Sequence, residues 1–446
     1  MTYEEFKNLV ISKAKKRGIA DYEIYYQKES EFQISSSNRE IGNYKDASSM
    51  GVSFKALLNG KAGYSSTEEF TEKSAEELVN NAIENLNIIQ SEDEEFIFDG
   101  KGEYKEIKTY YGEMDDLSVK DKISMVRSIE DKMLSFDKRI VNTPYNFLVH
   151  ETREVNITNS KGLDRSFKAD NGALIAMALA SEGGAPKSAT KAKYVKTFKG
   201  LNFEDFASSV AREAISKLNS KTVKSGEYRI LMRRDAAISL LGTFTSMFSA
   251  ENVQKGLSVL KGRLNTKIGS DLVNIIDDPF SEIGVSNRPF DDEGVPTTKK
   301  HIIENGILKT FLYDLKAAHK DRAHSTGNAI KNDFTGKTTI MPINFVLKTG
   351  EFSFDDLLLE LKDGLIITDL QGMHSGANPI SGEFSLSAEG FLVENGKIVS
   401  GVEQITVASN FLDVLNNIVA VGNDVEVGGN IISPSFVIKS MMVAGK

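Results

Sequence analysis

The stretch Gly51-Val52-Ser53-Phe54-Lys55-Ala56-Leu57-Leu58-Asn59-Gly60-Lys61-Ala62-Gly63-Tyr64-Ser65-Ser66 decides how the N-terminal half folds. Val52, Phe54, Ala56 and Leu58 recur at every second position, the period of a half-buried strand. Asn59-Gly60 then supplies two residues that tolerate positive φ, as the centre of a type I′ hairpin turn requires. A hairpin is therefore predicted here. Upstream, Tyr22, Ile24 and Tyr26 alternate with polar residues, and Phe32 and Ile34 repeat the pattern. Thr2 and Glu5 stand at capping-box spacing before a first helix ending near Arg17-Gly18. A second helix is predicted from about Thr71 to Ile89, with Ala75, Leu78, Ala82, Leu86 and Ile89 on one face.

The rest of the chain repeats this alternation of helices and hairpins. Ser118 to Phe136 reads as a helix with Ile123, Val126, Ile129 and Met133 on one face. Strands flank Asn159-Ser160-Lys161-Gly162, and the apolar run Ala173–Ala180 reads as a buried strand. A helix over about Asn202–Leu218 follows. Tyr228–Met232 is a predicted strand, and Asp235 is the predicted N-cap of a helix through Leu240, Phe244 and Phe248. Asn305-Gly306 and Asn395-Gly396, each between apolar residues, predict two more hairpins. Ser353 caps a short helix of Leu357, Leu358 and Leu361 stopped by Gly364, and Asn410 starts another through Leu415 and Ile418. No run of βαβ units appears. The class is α+β: an N-terminal helix and hairpin region, then a C-terminal domain of largely antiparallel or mixed sheet with packed helices. Three units are expected, over residues 1–100, 101–223 and 224–446.

Composition narrows the function. The chain has 446 residues, with 40% hydrophobic and 26% charged, so it can bury sizeable cores. Its net charge of −9 argues against direct nucleic-acid binding, which needs a basic footprint. Cysteine is absent, which removes disulfides, Cys nucleophiles and Cys-ligated metal. The first residues lack a signal peptide's apolar core, and no apolar run approaches the roughly 20 residues that span a bilayer. A cytoplasmic, non-membrane chain is expected.

Few residues carry chemistry by themselves. Gly336-Lys337-Thr338 ends like a phosphate loop, but residue 331 is Lys where the first glycine belongs. His319 and His324 lie five apart, the wrong spacing for one helix face, with Lys320 where a zincin has its Glu; they read as polar helix residues. The adjacent acids Asp277-Asp278 and Asp291-Asp292-Glu293 read as solvated turns, with a paired acid/base site as the alternative. The acidic run Glu92–Glu95 reads as a solvated linker, and the five lysines of residues 183–200 as a mobile exposed loop. For that basic segment, with Tyr194 and Phe198 interleaved, the alternative is a stacking surface for an anionic ligand.

One ordered series is more specific. It runs Phe290-Asp291-Asp292-Glu293-Gly294-Val295-Pro296-Thr297, Ile303-Glu304-Asn305-Gly306-Ile307-Leu308 and Ser325-Thr326-Gly327-Asn328. It continues through Gly372-Met373-His374-Ser375-Gly376-Ala377-Asn378-Pro379-Ile380-Ser381-Gly382-Glu383-Phe384-Ser385, Glu394-Asn395-Gly396-Lys397-Ile398 and Val421-Gly422-Asn423-Asp424. This series resembles the TldD/PmbA family, also called modulators of DNA gyrase. The resemblance implies a peptidase assembly of two kinds of subunit. The TldD branch resembles a zinc peptidase with His-Glu-x-x-x-His on the first C-terminal helix and a later Cys ligand. The PmbA branch, also called TldE, lacks these and pairs with a TldD subunit to trim leader peptides and degrade small unfolded proteins.

Aligned on Lys255-Gly256-Leu257-Ser258, the family's motif positions fall on Leu241, Gly242 and Ser246. After Asp424, where the other branch has its Cys, stands Val425-Glu426-Val427-Gly428-Gly429-Asn430. The resemblance is therefore to the PmbA branch, with no catalytic residue and no metal or cofactor in this chain. Zinc is expected only in a TldD-like partner. Expected partners are that subunit and a peptide or unfolded protein; homodimers stay open. His374, Asn378, Ser381 and Glu383 are the expected substrate or partner surface. A stand-alone hydrolase using the acids at 277–278 and 291–293 or His374, and a non-enzymatic binding protein, are the alternatives.

Overall fold

The computed structural model describes residues 1–88 and 93–446. The hairpin at Asn59-Gly60 is present, with φ of 51° and 76° at its two central residues. It joins β2 (Glu40–Leu58) to β3 (Lys61–Thr67). The two upstream strand signals are one long strand, β1 (Asp21–Ser37), paired antiparallel with β2 along almost its whole length. β1 also pairs with β5 (Asn146–Asn159), and β5 with β6 (Asp164–Ala180). β4 (Ile140–Asn142) and β7 (Lys187–Val195) both join β6. The first two expected units thus share one seven-stranded sheet.

Side chains alternate between the faces of this sheet. On one face Ile24, Val52, Phe54 and Ala56 pack under α1 (Tyr3–Lys16) and α2 (Glu72–Ile88). Farther along the same face, Phe32, Ile34, Leu148 and Leu174 pack under α3 (Val119–Phe136) and α4 (Phe203–Ser216). Thr2 and Glu5 form the capping box of α1, with Glu5 N–H donating to Thr2 Oγ1 at 3.3 Å. Ser118 and Asn202 cap α3 and α4. Ile89, placed on the second helix by periodicity, lies outside the described residues. The run Ala173–Ala180 is a strand, but its residues alternate in depth: Leu174, Ala176, Ala178 and Ala180 are buried, and Ile175 and Met177 less so.

The C-terminal sheet has ten strands in mixed arrangement. The strand Gly226–Met232 pairs in parallel with Gly364–Gln371 and antiparallel with Ile431–Ala444, which with Glu383–Glu394 and Lys397–Asn410 closes a ring of five strands. The other two predicted Asn-Gly turns are hairpin turns within this sheet, with positive φ at Asn305, Gly306, Asn395 and Gly396. Helix α5 (Arg234–Phe244) packs Ala236, Leu240, Leu241 and Phe244 into its largest core. Among the described residues, no helix is long and apolar enough to cross a membrane.

Several local readings are corrected. Asp235 does not cap α5: the cap is Arg233, which makes no side-chain capping bond, and Asp235 instead binds the Arg233 guanidinium at 2.7 Å. Ser353 does cap its helix, which ends at Leu361 with Lys362 at positive φ, so Gly364 begins the next strand. The helix after Asn410 stops at Asn416, leaving Ile418 in a strand. His324 lies beyond the helix Leu315–Asp321, which closes at Arg322 in a left-handed conformation.

The lysine-rich segment is not a mobile loop. Lys187–Val195 is β7, and its lysines face acids distant in sequence. Lys187 meets Glu403, Lys193 meets Glu426 at 2.7 Å, and Lys196 donates to the carbonyls of Ser281 and Glu282, both at 2.8 Å. Phe198 is buried rather than offered for stacking. The acidic run is likewise no solvated linker where it is described: Glu95 binds Lys55, Tyr64 and Lys316, and Asp93 binds Lys316 and Lys320. Glu92 lies outside the described residues.

Candidate functional site

The two halves meet on the sheet face opposite the four helices. Tyr25, Val155, Ile157, Leu163 and Phe167 pack there against Phe290 and Phe334 of the C-terminal domain. The acids read as solvated turns are buried in this junction. Asp292 is wholly buried; it accepts from Tyr25 Oη at 3.0 Å, Arg288 Nη1 at 3.1 Å, Arg153 Nη2 at 3.3 Å and Lys331 N–H at 2.7 Å. Burial pushes its carboxyl up, but the Arg288 and Arg153 guanidiniums outweigh it and hold the group below the usual carboxylate range. Asp291 accepts the N–H groups of Glu293, Val295 and Ala329, and Glu293 accepts that of Leu315. Asp277 binds Lys300, Asn328 and two backbone N–H groups; Asp278 binds Lys299 and the Phe280 N–H. The oxygens of Asp277, Asp278, Asp291 and Asp292 are committed to structural donors, so these four do not form an open acid/base pair across a cleft; among the described residues, Glu293 is held through Oε2 alone.

A second meeting place lies beside α5. A cleft of about 570 Å³ runs between β7 and α4 on one side and α5 with residues 426–428 on the other. Arg233 forks onto Glu213 through two bonds of 3.0 Å each. Arg234 reaches Asp424 at 3.0 Å, and Lys191 lies 3.7 Å from Glu213. Burial holds the Lys191 amine below its ordinary value, opposed by Glu213 and reinforced by Arg233. Burial raises Glu213, but Arg233 outweighs this and keeps it below the usual range. The cleft's two serines are spent on the backbone: Ser209 donates to the Phe206 carbonyl and Ser239 to that of Asp235. Neither meets a base, so no activated nucleophile is built here. Sequence reading missed this charge network, whose only trace was the lysine-rich segment and the Arg233-Arg234 pair.

The residues that the resemblance sets at the family's motif positions lie on or next to α5. Leu241 is buried in the core, Gly242 carries no side chain, and Ser246 is an exposed hydroxyl on the 3₁₀ turn Thr245–Phe248. A β-carbon at Gly242 would make ordinary contact with Ile431 at 3.4 Å. A zinc site needs nitrogen, sulfur or carboxylate donors converging on one point. This donor set does not fit zinc, and among the described residues no three His, Asp or Glu side chains are grouped to hold a metal. His319 packs tilted against Phe96 with ring centroids 4.2 Å apart, and His150 faces Asp170 at 3.6 Å.

The segment 372–384 is largely exposed. Its loop closes on itself: Asn378 N–H donates to Glu383 O and Gly382 N–H to Asn378 O, both at 2.8 Å. Ser381 Oγ donates to Glu383 Oε2 at 3.2 Å. Asn378, Ser381 and Glu383 are thus brought together, while His374 stands apart on the single turn Met373–Gly376. Gly376 serves an internal contact, since a β-carbon there would meet Ser385 O at 2.3 Å.

A ring-closed C-terminal sheet carrying a buried helix, joined through a charged junction to a helix-covered N-terminal sheet, is a metallopeptidase-family architecture. Residues 225–445 match the model of the PmbA/TldA metallopeptidase C-terminal domain, residues 22–86 that of domain 1, and residues 112–220 that of the central domain. The chain belongs to the PmbA/TldD family. It is 42% identical to a solved Thermotoga maritima protein described as a candidate modulator of a DNA gyrase, covering 99% of this chain and 100% of that one with a TM-score of 0.93. It is 27% identical to a metalloprotease PmbA homologue of Buchnera aphidicola, over 96% of this chain and 93% of the relative. The fold also matches TldE from Thermococcus kodakarensis, with a TM-score of 0.89 at 21% identity, covering 98% of this chain and 99% of that one.

Proposed function

We propose that this chain is the PmbA-type, non-metal subunit of a cytoplasmic peptidase assembly. It would shape the chamber and hold extended peptide or unfolded protein, while a TldD-like partner supplies zinc and the general base. What supports this reading is the alignment on Lys255–Ser258, which puts Leu241, Gly242 and Ser246 at the family's metal positions, in a chain whose fold matches the Thermotoga maritima protein over 99% of its length. The acids of the junction speak against the stand-alone hydrolase, because the oxygens of Asp277, Asp291 and Asp292 would have to abandon structural donors to work on substrate.

The test is reconstitution. The isolated chain is expected to retain no stoichiometric zinc after dialysis and to leave an unstructured peptide intact. Combined with a subunit carrying His-Glu-x-x-x-His, it is expected to form a complex that binds zinc and cleaves the peptide. Near one zinc per isolated chain, or cleavage by the chain alone that survives chelation, would overturn the reading.

A further inference from the structure

Strand β2 outruns its neighbour. Residues 40–57 pair with β1, but β3 pairs only with residues 52–58. From Ile41 to Met50 one edge of β2 has no strand beside it among the described residues, and nearly all of these side chains are exposed. Every second residue of an antiparallel edge turns its N–H and C=O outward, a template for an added strand. The edge ends where Phe334 covers Gly51: a β-carbon at Gly51 would lie 2.3 Å from that ring.

Beside this edge lies a cleft of about 490 Å³. Its floor is the sheet face that meets the C-terminal domain, and residues 285–288 form its opposite wall. Two cross-strand rows build the floor. In one, Ala47 lies opposite Glu31, Glu31 opposite Glu151, and Glu151 opposite Asn171. In the other, Ser49 lies opposite Glu29, and Glu29 opposite Arg153. Glu31 and Glu151 are thus like charges directly across a strand pair, an arrangement that costs stability.

The cations at hand do not balance these acids. Lys45 pairs with Glu31 at 2.5 Å. Arg153 and Arg288 are held by Asp292, and Arg153 comes no closer than 3.8 Å to Glu29. Glu151 has no ion-pair partner among the described residues. Desolvation by the cleft, and then the neighbouring Glu31 and Glu29, raise the Glu151 carboxyl above its usual range.

We propose that the free edge of β2 and the cleft beside it form a subsite for an extended peptide segment, with a Lys or Arg side chain seated over Ala47 and Ser49 against Glu29 and Glu31, and Glu151 adding its charge one strand beyond. The small side chains at 47 and 49 leave the way open. An added strand would sit two strand spacings from β1, about 10 Å, a gap that an extended basic side chain and a glutamate close between them. The main chain supplies affinity and the carboxylates choose the side chain. This deepens the reading above by naming a class of peptide, but binding at this edge needs no partner subunit.

The test uses the isolated full chain and a fluorescein-labelled peptide, Val-Thr-Lys-Thr-Lys-Thr-Val, followed by anisotropy. Two other probes are the same peptide with glutamine for lysine and the same peptide N-methylated at alternate residues. Saturable binding of the lysine peptide is expected, weakened about tenfold by the glutamine exchange and by the pair Glu31→Gln and Glu151→Gln. The thermal midpoint of that variant checks that it is folded. N-methylation keeps the charge and removes edge hydrogen bonds, and is expected to weaken binding as much. Equal binding of the glutamine peptide would overturn the charge selection, and equal binding of the N-methylated peptide would overturn strand addition. If no probe binds the chain but the reconstituted complex cleaves the lysine peptide, this subsite falls and the subunit reading stands. If the lysine peptide binds as described but no complex forms, the reverse holds.

Discussion

The two faces of the seven-stranded sheet are built from alternate residues of the same strands, yet they work by different physics. On the helix face, Ile24, Val52, Phe54 and Ala56 are buried among apolar side chains. On the other face their chain neighbours Glu23, Tyr25, Ser53 and Lys55 are buried too, in a network of charges shared with the C-terminal domain. Lys55 reaches Glu95 at 3.2 Å and the Phe96 carbonyl at 2.8 Å. A face that reads as solvated in sequence is therefore an internal seam. Burying apolar area stabilises wherever it occurs, whereas a buried charge is tolerated only where its partners are in place.

The sharpest way to break the comparison is Asp292→Ala. It leaves two guanidiniums and a tyrosine hydroxyl in the seam without their shared acceptor, and a loss of about 4 kcal/mol is expected. Urea unfolding followed by circular dichroism measures it; a loss under about 1 kcal/mol would mean that water enters and resolvates the seam. Ile24→Ala does the corresponding damage to the helix face, by lost burial and a cavity under α1 and α2. About 3 kcal/mol is expected from the same measurement, and an unchanged midpoint would show that α1 collapses onto the space.

The Asn-Gly turns offer a finer version of the contrast. Gly306 and Gly396 share a left-handed conformation, with φ of 75° and 71°. A β-carbon at Gly306 would lie 2.2 Å from Gly269 O, whereas at Gly396 its nearest neighbour is the flexible Leu359 side chain at 3.3 Å. Gly306→Val should cost about 3 kcal/mol and Gly396→Val about 1 to 2 kcal/mol. Equal thermal midpoints for the two variants would show that conformation alone matters and the close backbone does not.

The smallest effect at neutral pH is the pH dependence of the seam. The Asp292 carboxyl is lower in the fold than its ordinary value of about 4. Its contribution is therefore complete above that value and disappears as pH falls through the depressed folded one. Asp292→Asn removes this proton from the linkage. The slope of urea midpoint against pH between about 4 and 2 should be shallower in the variant. Parallel slopes would mean that other carboxylates carry acid unfolding.

The sequence by itself determined the elements whose cause is local. The three Asn-Gly turns predicted between apolar residues are all hairpins, whereas Asn171-Gly172 lies within β6. The caps Thr2 and Ser353 need only a hydroxyl beside free N–H groups. The apolar stripes of α2 and α3 and the α+β class follow from periodicity, and the ordered series of motifs was enough to point to the family. Tertiary structure decided everything that depends on partners far along the chain. The acids 277–278 and 291–293 look like turns because Lys300, Asn328, Arg153 and Lys331 are tens of residues away or more. The lysines of β7 look mobile because Glu403 and Glu426 lie in the other half. Asp235 reads as a cap only until Arg233 competes for its carboxylate. Hydrophobic burial leaves a periodic mark in a sequence because water is avoided by one residue at a time. Charge burial leaves none, because the energy of a buried charge belongs to the pair and the fold alone brings the pair together.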